Sequence, residues 1–425
     1  MDRSKAPRTY GFGQVRMEPV EPVVLPRSGV TANIIGGGCD DLNMVSLYVA
    51  GGRLLQPASP VAALTATLVP CGSATRSAGD VAEALDYHGS WKSEQVSDFY
   101  IEHSLYSLGG HLEHTLPVMV DCLANASFAA ADFERVKTRT ATNVAVRRQK
   151  VRKRAMARLA QLYWGENHPL AADPTPEQVL AIDRDVVVDY YKRYYRRNNL
   201  RVVLAGRIDD KMVDLVDRVL ADMLPPDALP PAQRPVVPRR PADDRDVVIE
   251  MPDSSQAAVA MALDGVPRAH PDYLALRVAV MALGGYFGSR LMSNIREDKG
   301  LCYDIQAYLS GRAGDGHVTI VTECNADSVD VVVGEIHREL RRLATRPMSR
   351  AELETVRQHM LSELARTLDT PFYIASQVAA EWLYGIYPEY FNRQVEVVKN
   401  ITPAELRTIA ARYFTPHTLR SVVVG

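Results

Sequence analysis

The chain has 425 residues, of which 47% are hydrophobic and 24% charged, and its formal net charge is −2. This length exceeds that of one ordinary core, so the sequence predicts two or three domains. A net charge near zero argues against a broadly basic surface for nucleic acid or an anionic membrane. The five cysteines are scattered without a CxxC pair, which excludes a disulfide framework and a cysteine-type zinc site and favours reduced thiols in the cytosol.

The beginning of the chain and its overall hydropathy predict a cytoplasmic protein. The first residues carry charge and proline but no apolar run, so we expect no secretory signal. No stretch of about 18 apolar residues occurs, so the sequence predicts no membrane-spanning segment. We therefore expect no contact with a membrane.

The first half of the chain is predicted to contain both strands and helices. Residues 45–49 and 99–105 alternate between apolar and polar or larger side chains, which predicts half-buried strands. Ser77 with Asp80 opens a helix that closes at a glycine, and residues 112–123 predict a second helix.

A proline-rich stretch, residues 223–245, divides the chain. Proline at this density blocks helices and central strands and favours an extended path. The segments that end each side match: an aromatic pair at 193–195 with a strand at 200–206 recurs at 412–414 and 419–425, with the same offset for both elements. A repeat of this length predicts a duplicated domain.

The sequence therefore predicts an N-terminal domain over 1–222, a linker over 223–245 and a C-terminal domain over 246–425. In the last of these, Ser349 with Glu352 and Thr402 with Glu405 each form the pattern of a capping box at the start of a helix. Hairpin-spaced strands with paired helices predict the α+β class: two homologous sandwich-like domains, each a mostly antiparallel sheet with helices packed on one face. The other elements predicted in this half are strands at 256–263 and 317–324 and helices at 274–283, 329–343 and 353–364.

The segment 283–303 carries the most informative pattern. A double glycine is followed by Ser-Arg-Leu and then by Arg-Glu-x-x-Gly-Leu-x-Tyr, which starts at Arg296 and ends at Tyr303. This pattern resembles the second-domain signature of the pitrilysin, insulinase and mitochondrial processing peptidase family of zinc peptidases. The resemblance covers nearly the whole chain and includes the segment 72–89 and the Asn-His-Pro at 167–169.

The resemblance implies a role for two residues. In that family, an Arg and a Tyr seven residues apart reach toward the zinc site and hydrogen-bond the substrate backbone and the oxyanion; Arg296 and Tyr303 occupy these places. A guanidinium offers a fork of charged donors and a phenol offers one neutral donor. By spacing alone, a polar helix end stopped by Gly300 and followed by a core tyrosine explains the pattern equally well.

The zinc motif itself is missing. Catalytic members carry His-x-x-Glu-His on the helix before Gly72, and the matching positions here hold Ala63, Ala66 and Thr67. The segment expected to supply the third ligand, residues 140–146, contains no carboxylate. We therefore expect no metal or other cofactor in this chain, and zinc in a partner subunit.

Other candidate sites favour structural interpretations. The segment 111–114, His-Leu-Glu-His, is one residue too short for a zinc motif, so we interpret its histidines as polar residues on the solvent side of a helix. His103 is in phase with apolar strand residues and is interpreted as a core histidine. The basic run 147–154 lacks interleaved aromatic residues, so it predicts a solvated helix face and no nucleic-acid partner.

Retention of Arg296 and Tyr303 without the zinc motif predicts the non-catalytic subunit of a clamshell metallopeptidase. It would supply both residues in trans to a homologous partner that carries an intact His-x-x-Glu-His, and the substrate would be an unfolded peptide. The chain alone would then be inactive. The alternative is a homodimeric peptide-binding or scaffold protein without proteolytic activity.

Overall fold

The computed structural model describes residues 14–38, 41–252, 254–312 and 314–425. The first residues, on which the prediction of no secretory signal rests, lie outside these ranges, as does Cys39. The other four cysteines are free thiols. Across the described ranges, no helix is both long enough and apolar enough to cross a bilayer.

The strands of the first half form one mixed, six-stranded sheet. In chain order they are β1 (Val23–Val24), β2 (Thr31–Gly36), β3 (Leu42–Ala50), β4 (Trp91–Val96), β5 (Tyr100–Leu108) and β6 (Leu200–Gly206). The spatial order is β1-β2-β6-β3-β5-β4. Only the pair β2 and β6 is parallel, and the other pairs in this sheet are antiparallel.

The second half contains a five-stranded sheet. Its strands are β7 (Asp246–Ile249), β8 (Gln256–Asp264), β9 (Cys302–Gly311), β10 (Gly316–Asn325) and β11 (Arg420–Val424). They lie in the order β7-β11-β8-β10-β9, with β7 and β11 parallel and the other pairs antiparallel.

The two sheets share one topology. The order β2-β6-β3-β5-β4 in the first corresponds, strand for strand, to β7-β11-β8-β10-β9 in the second. Strands β6 and β11, the ends of the predicted repeat, hold equivalent places: each pairs in parallel with a preceding strand and antiparallel with a long one. The last strands, β4 and β9, are equivalent edges.

Fourteen α-helices accompany the sheets in the described residues. Those of the first half are α1 (Val61–Leu68), α2 (Ala78–Tyr87), α3 (Leu112–Ala124), α4 (Ala130–Arg148), α5 (Val151–Trp164), α6 (Pro176–Leu180), α7 (Arg184–Tyr194) and α8 (Asp210–Met223). Those of the second half are α9 (Tyr273–Val280), α10 (Val329–Thr345), α11 (Arg350–Arg366), α12 (Pro371–Tyr384), α13 (Tyr390–Asn400) and α14 (Pro403–Tyr413). Two π-helical turns, Met281–Gly285 and Met292–Asp298, lie between α9 and β9.

One face of each sheet packs on helices of its own half. In the first core, Leu47 and Val202 of the sheet meet Leu64 of α1 and Leu116 of α3, all fully buried. The second core is built in the same way around β8 and β10 and packs against α9, α10 and α14. The predicted α+β class, with two mostly antiparallel sheets and helices packed on a face of each, is confirmed.

The opposite face of each sheet is covered by a helix from the other half. Helix α5 packs through Ala155 and Leu159 on the second sheet, where small residues of β8 allow its close approach. Helix α12 packs through Ala375 and Val378 on β2 and β6 of the first sheet. The two helices start at 151 and 371, close to the offset of the repeat, so the exchange is reciprocal.

Candidate functional site

Helix α1 presents the positions where the zinc motif was expected. Ala63 and Thr67 are four residues apart and so share one helix face; Ala63 is exposed and Thr67 half-buried. Ala66, at the place of the general base, is buried. Two methyl groups and a neutral hydroxyl cannot replace two imidazoles and a carboxylate, so the residues at this site do not fit zinc.

The edge strand β4 places a charged pair on the face that points to the helices. Lys92 and Glu94 lie opposite Leu105 and His103 of β5, whose side chains belong to the buried face. The Lys92 ammonium and the Glu94 carboxylate are 3.1 Å apart. Strand β4 contacts α1, and a protonated lysine only donates hydrogen bonds, so its presence there also disfavours a bound cation.

The segment predicted to have lost the third ligand lies within α4. Its first residue, Thr140, donates its hydroxyl to the Val136 carbonyl at 2.8 Å, a local contact within the helix. Within the described ranges, no group of three or more His, Cys, Asp or Glu residues is arranged to hold a metal ion.

Arg296 and Tyr303 lie side by side at the edge of the second sheet. Arg296 belongs to the turn Met292–Asp298, and Gly300 adopts a positive φ of 62° that reverses the chain into β9, where Tyr303 is the second residue. The Arg296 guanidinium lies 5.5 Å from the Tyr303 ring centroid and 4.8 Å from that of Phe287. The arginine is therefore held between two rings.

Arg296 is half-buried, whereas the two rings beside it are open to solvent. The Tyr303 side chain is 86% exposed and that of Phe287 60%, so neither serves the core. The interpretation of Tyr303 as a core tyrosine is therefore wrong, because nearly all of its surface remains in contact with water. Beside the pair, β9 has a neighbouring strand on one side only within the described ranges, so its outer backbone groups are open to pairing with an extended peptide.

Buried hydrogen bonds anchor the turn that carries Arg296. Asn294 donates to the carboxylates of Glu335 and Glu339 on α10, both at 2.9 Å, and both glutamates are buried. Upstream, Arg290 makes a two-point contact with Glu352, at 2.6 and 3.0 Å. Sequence reasoning missed this support, because its acceptors lie on helices far downstream in the chain.

Comparisons with known proteins agree with this architecture. Residues 181–360 match the family model described as "Peptidase M16 inactive domain". A solved structure, a peptidase M16 inactive domain from Pseudomonas fluorescens, superimposes with a TM-score of 0.87 over 96% of this chain and 98% of its own, at 20% identity. Residues 181–360 thus resemble an M16 inactive domain, and the chain shares the fold of a solved one. The family resemblance predicted from the sequence is thereby confirmed.

Curated proteins similar to this chain carry peptidase names. An uncharacterized zinc protease of Bacillus subtilis is 23% identical over 301 residues, which cover 70% of this chain and 72% of the relative. The human mitochondrial-processing peptidase subunit beta is 22% identical over 269 residues, which cover 59% of this chain and 52% of the relative.

The histidines of the 111–114 segment have a neighbour that sequence reasoning did not connect with them. His88, at the end of α2, stacks on His114 with centroids 4.8 Å apart, and its Nδ1 lies 3.0 Å from Nδ1 of His111. Partial burial and the two neighbouring imidazoles lower the pKa of His88 below its ordinary value. The sequence spacing identified His111 and His114 as neighbours, whereas only the folded structure places His88 beside them.

Proposed function

We propose that this chain is the non-catalytic partner in a two-chain M16 peptidase. The observation that carries the proposal is a contrast between its halves. Helix α1 holds Ala63, Ala66 and Thr67 where zinc ligands and a base belong. The pair of Arg296 and Tyr303 is retained, with the arginine half-buried and the tyrosine exposed. Residues that serve only a lost active site have no reason to keep such an arrangement.

The chemistry of the pair suits this role. Charged and neutral donors aimed at a developing oxyanion each contribute about 2.7–4 kcal/mol to catalysis in other enzymes. Arg296 has no carboxylate within 4.0 Å among the described residues, so its donors are free for a substrate. The zinc and the general base would come from a homologous partner with an intact His-x-x-Glu-His motif.

The expected substrate is an unfolded peptide. Strand β9 offers unpaired backbone groups beside Tyr303, and strand addition recognises a peptide mainly through its main chain. The name of the human relative includes the word subunit, which supports a multi-chain assembly for that protein.

Replacing Arg296 by alanine tests the role of the pair. We expect Arg296→Ala to lower the turnover of the assembled peptidase roughly 100- to 1,000-fold, because a charged donor to the oxyanion is lost. The measurement is kcat of the complex on a fluorogenic peptide, with assembly checked by size-exclusion chromatography. Arg407→Ala, an exposed arginine on α14, is the matched control. Normal turnover of the Arg296 variant would refute this role.

Native mass spectrometry of the chain purified from its own cells tests the assembly. A one-to-one complex with a homologue bearing the intact motif, and one zinc ion per pair, is the expected result. A zinc-free homodimer would instead favour a peptide-binding or scaffold protein without proteolytic activity.

A further inference from the structure

A cavity of about 310 Å³ lies where the two halves of the molecule meet. Its walls come from the turn between β4 and β5, the proline-rich segment, the end of β9 and the end of α12. Four arginines line it, and the described lining residues include a single carboxylate, so its formal charge is 4 − 1, or +3. The arginines are Arg53, Arg234, Arg268 and Arg312.

The carboxylate, Asp98, is already engaged by two of these arginines. Its Oδ1 lies 3.0 Å from Nη2 of Arg53, and Arg312 donates to the same oxygen. Burial raises the pKa of Asp98, but Arg312, Arg53 and Arg234 lower it more, so the carboxyl is ionised. Asp98 thus offsets only part of the positive charge.

The other two arginines are held in place without an ion pair. Arg234 donates to a main-chain carbonyl of α12 at 2.8 Å and lies 4.9 Å from the Phe99 centroid. Arg268 donates to a carbonyl at the end of β9 at 3.3 Å and lies 3.9 Å from the Tyr384 centroid. Neither has a carboxylate within 4.0 Å in the part of the chain that the structure describes.

Each guanidinium carries five donors, and each of these two uses one in its main-chain bond. Aromatic stacking restricts their motion, so little side-chain entropy is lost when a ligand binds. Burial lowers the pKa of Arg234, which shows that its charge is partly desolvated. A second anion would compensate that cost and use the remaining donors.

The cavity stands at the end of both edge strands. Gln95 and Val96 of β4 and Leu309 and Ser310 of β9 form part of its lining. Tyr303 lies seven residues earlier on β9, a distance of about 23 Å at the rise of an extended strand. A peptide paired along either edge would therefore bring one of its groups to the arginines.

We propose that this cavity binds a carboxylate of a peptide ligand, from an acidic side chain or from the C-terminus. The inference rests on the peptide-binding part of the proposed function. It adds a preference for acidic peptides at a site remote from Arg296.

Fluorescence anisotropy with the purified full-length chain tests this site. The probes are one short unstructured peptide ending in two glutamates, and the same peptide with glutamines and an amidated end. Two further peptides carry either the free C-terminus or the glutamates alone, and so separate the two carboxylate sources. We expect the acidic peptide to bind at least about tenfold more tightly than the neutral one, since hydrogen bonds to charged groups are strong.

Arg234→Gln and Arg268→Gln should each remove most of this preference. Arg240→Gln is the matched control, because Arg240 lies on the same proline-rich segment with an exposed side chain. Equal affinity of the wild-type chain for acidic and neutral peptides would overturn the proposal. This comparison does not depend on whether the variants fold. An equal loss with Arg240→Gln, or binding of inorganic phosphate at Arg234 without peptide selectivity, would also overturn it.

Neither a partner nor zinc enters this experiment. A missing heterodimer would therefore refute the proposed subunit role while selective binding by the single chain still supported the carboxylate site.

Discussion

Glu381 is an unusual residue because its carboxyl is buried and forms no ion pair with any residue that the structure describes. It lies on α12 with 8% of its surface exposed, and its Oε1 has no hydrogen-bond partner among the described residues. Burial, together with the charges of Glu21 and Glu389, raises the pKa of Glu381 to about 7. The folded protein therefore holds a proton there that the unfolded chain releases near pH 4.5.

The sign of the resulting pH dependence follows from this difference. Between about pH 4.5 and pH 7 the folded state binds more protons than the unfolded state, so stability falls as the pH rises through this window. Glu381→Gln removes the effect. We expect the variant to be more stable than the wild type by roughly 1–3 kcal/mol at pH 8, with no difference at pH 4.

Urea unfolding at the two pH values measures this difference. Glu83→Gln, at an exposed position on α2, is the control and should change stability little at either pH. An equal gain for the Glu381 variant at pH 4 and pH 8 would show that packing and not titration is responsible.

His103 is buried with an incomplete set of contacts. Its Nε2 lies 2.9 Å from the Tyr195 hydroxyl, while its Nδ1 has no partner in the described ranges. Burial, with a smaller effect of Lys92, lowers the pKa of His103 to about 3. The interpretation as a core histidine is confirmed, although only one of its ring nitrogens is hydrogen-bonded within those ranges.

At the scale of elements, the capping patterns show what local sequence controls. Ser77 with Asp80 and Thr402 with Glu405 form complete capping boxes, as predicted. The predicted box at Ser349 is only half formed: its hydroxyl caps the helix, but the Glu352 carboxylate bonds Arg290 instead. A charge-assisted two-point contact outcompetes the local bond.

The cap of α14 gives a prediction at this scale. Thr402→Ala should lower the free energy of unfolding by about 1 kcal/mol, because the hydroxyl that accepts from the Glu405 amide at 3.3 Å is lost. Thr408→Ala is the control, since its exposed hydroxyl bonds only a carbonyl within the same helix. Thermal unfolding of both variants measures the difference, and equal stability of the two would contradict a capping role.

At the scale of the whole molecule, the exchange of α5 and α12 links the two halves. Without α12, the face of the first sheet formed by Ile35, Met44 and Val203 would be open to water. The second sheet depends on α5 in the same way. Burial of this kind drives folding, so we expect the halves to unfold in one transition.

Val378→Ala tests this coupling. Val378 is fully buried against the first sheet although it belongs to the second half, so we expect a loss of about 2 kcal/mol from the lost transfer energy and the cavity. Hydrogen exchange should then speed up in both sheets. Val331→Ala, at a half-exposed position on α10, is the control. Faster exchange confined to the second half would disprove the coupling.

Much of the fold was predictable because its signals are local. Alternation identified β3 and β5, capping residues identified α2 and α14, and the internal repeat predicted two equivalent sheets. The sequence also showed that Ala63, Ala66 and Thr67 replace the zinc ligands and the base. It likewise showed the family spacing of Arg296 and Tyr303. Apart from the repeat, each of these features is recognised from residues that lie within about ten positions of one another in the sequence.

The tertiary structure alone decided which distant surfaces meet. Nothing within α5 or α12 indicates that each covers the sheet of the other half, because an apolar helix face does not specify its partner. The arginine cavity likewise gathers Arg53, Arg234 and Arg312 from segments that lie far apart in the chain. The sequence thus determined the helices and strands and the absence of the metal motif. Packing between distant elements decided that α5 and α12 each cover the sheet of the other half, and that arginines from separate segments line one cavity, because neither feature depends on local sequence.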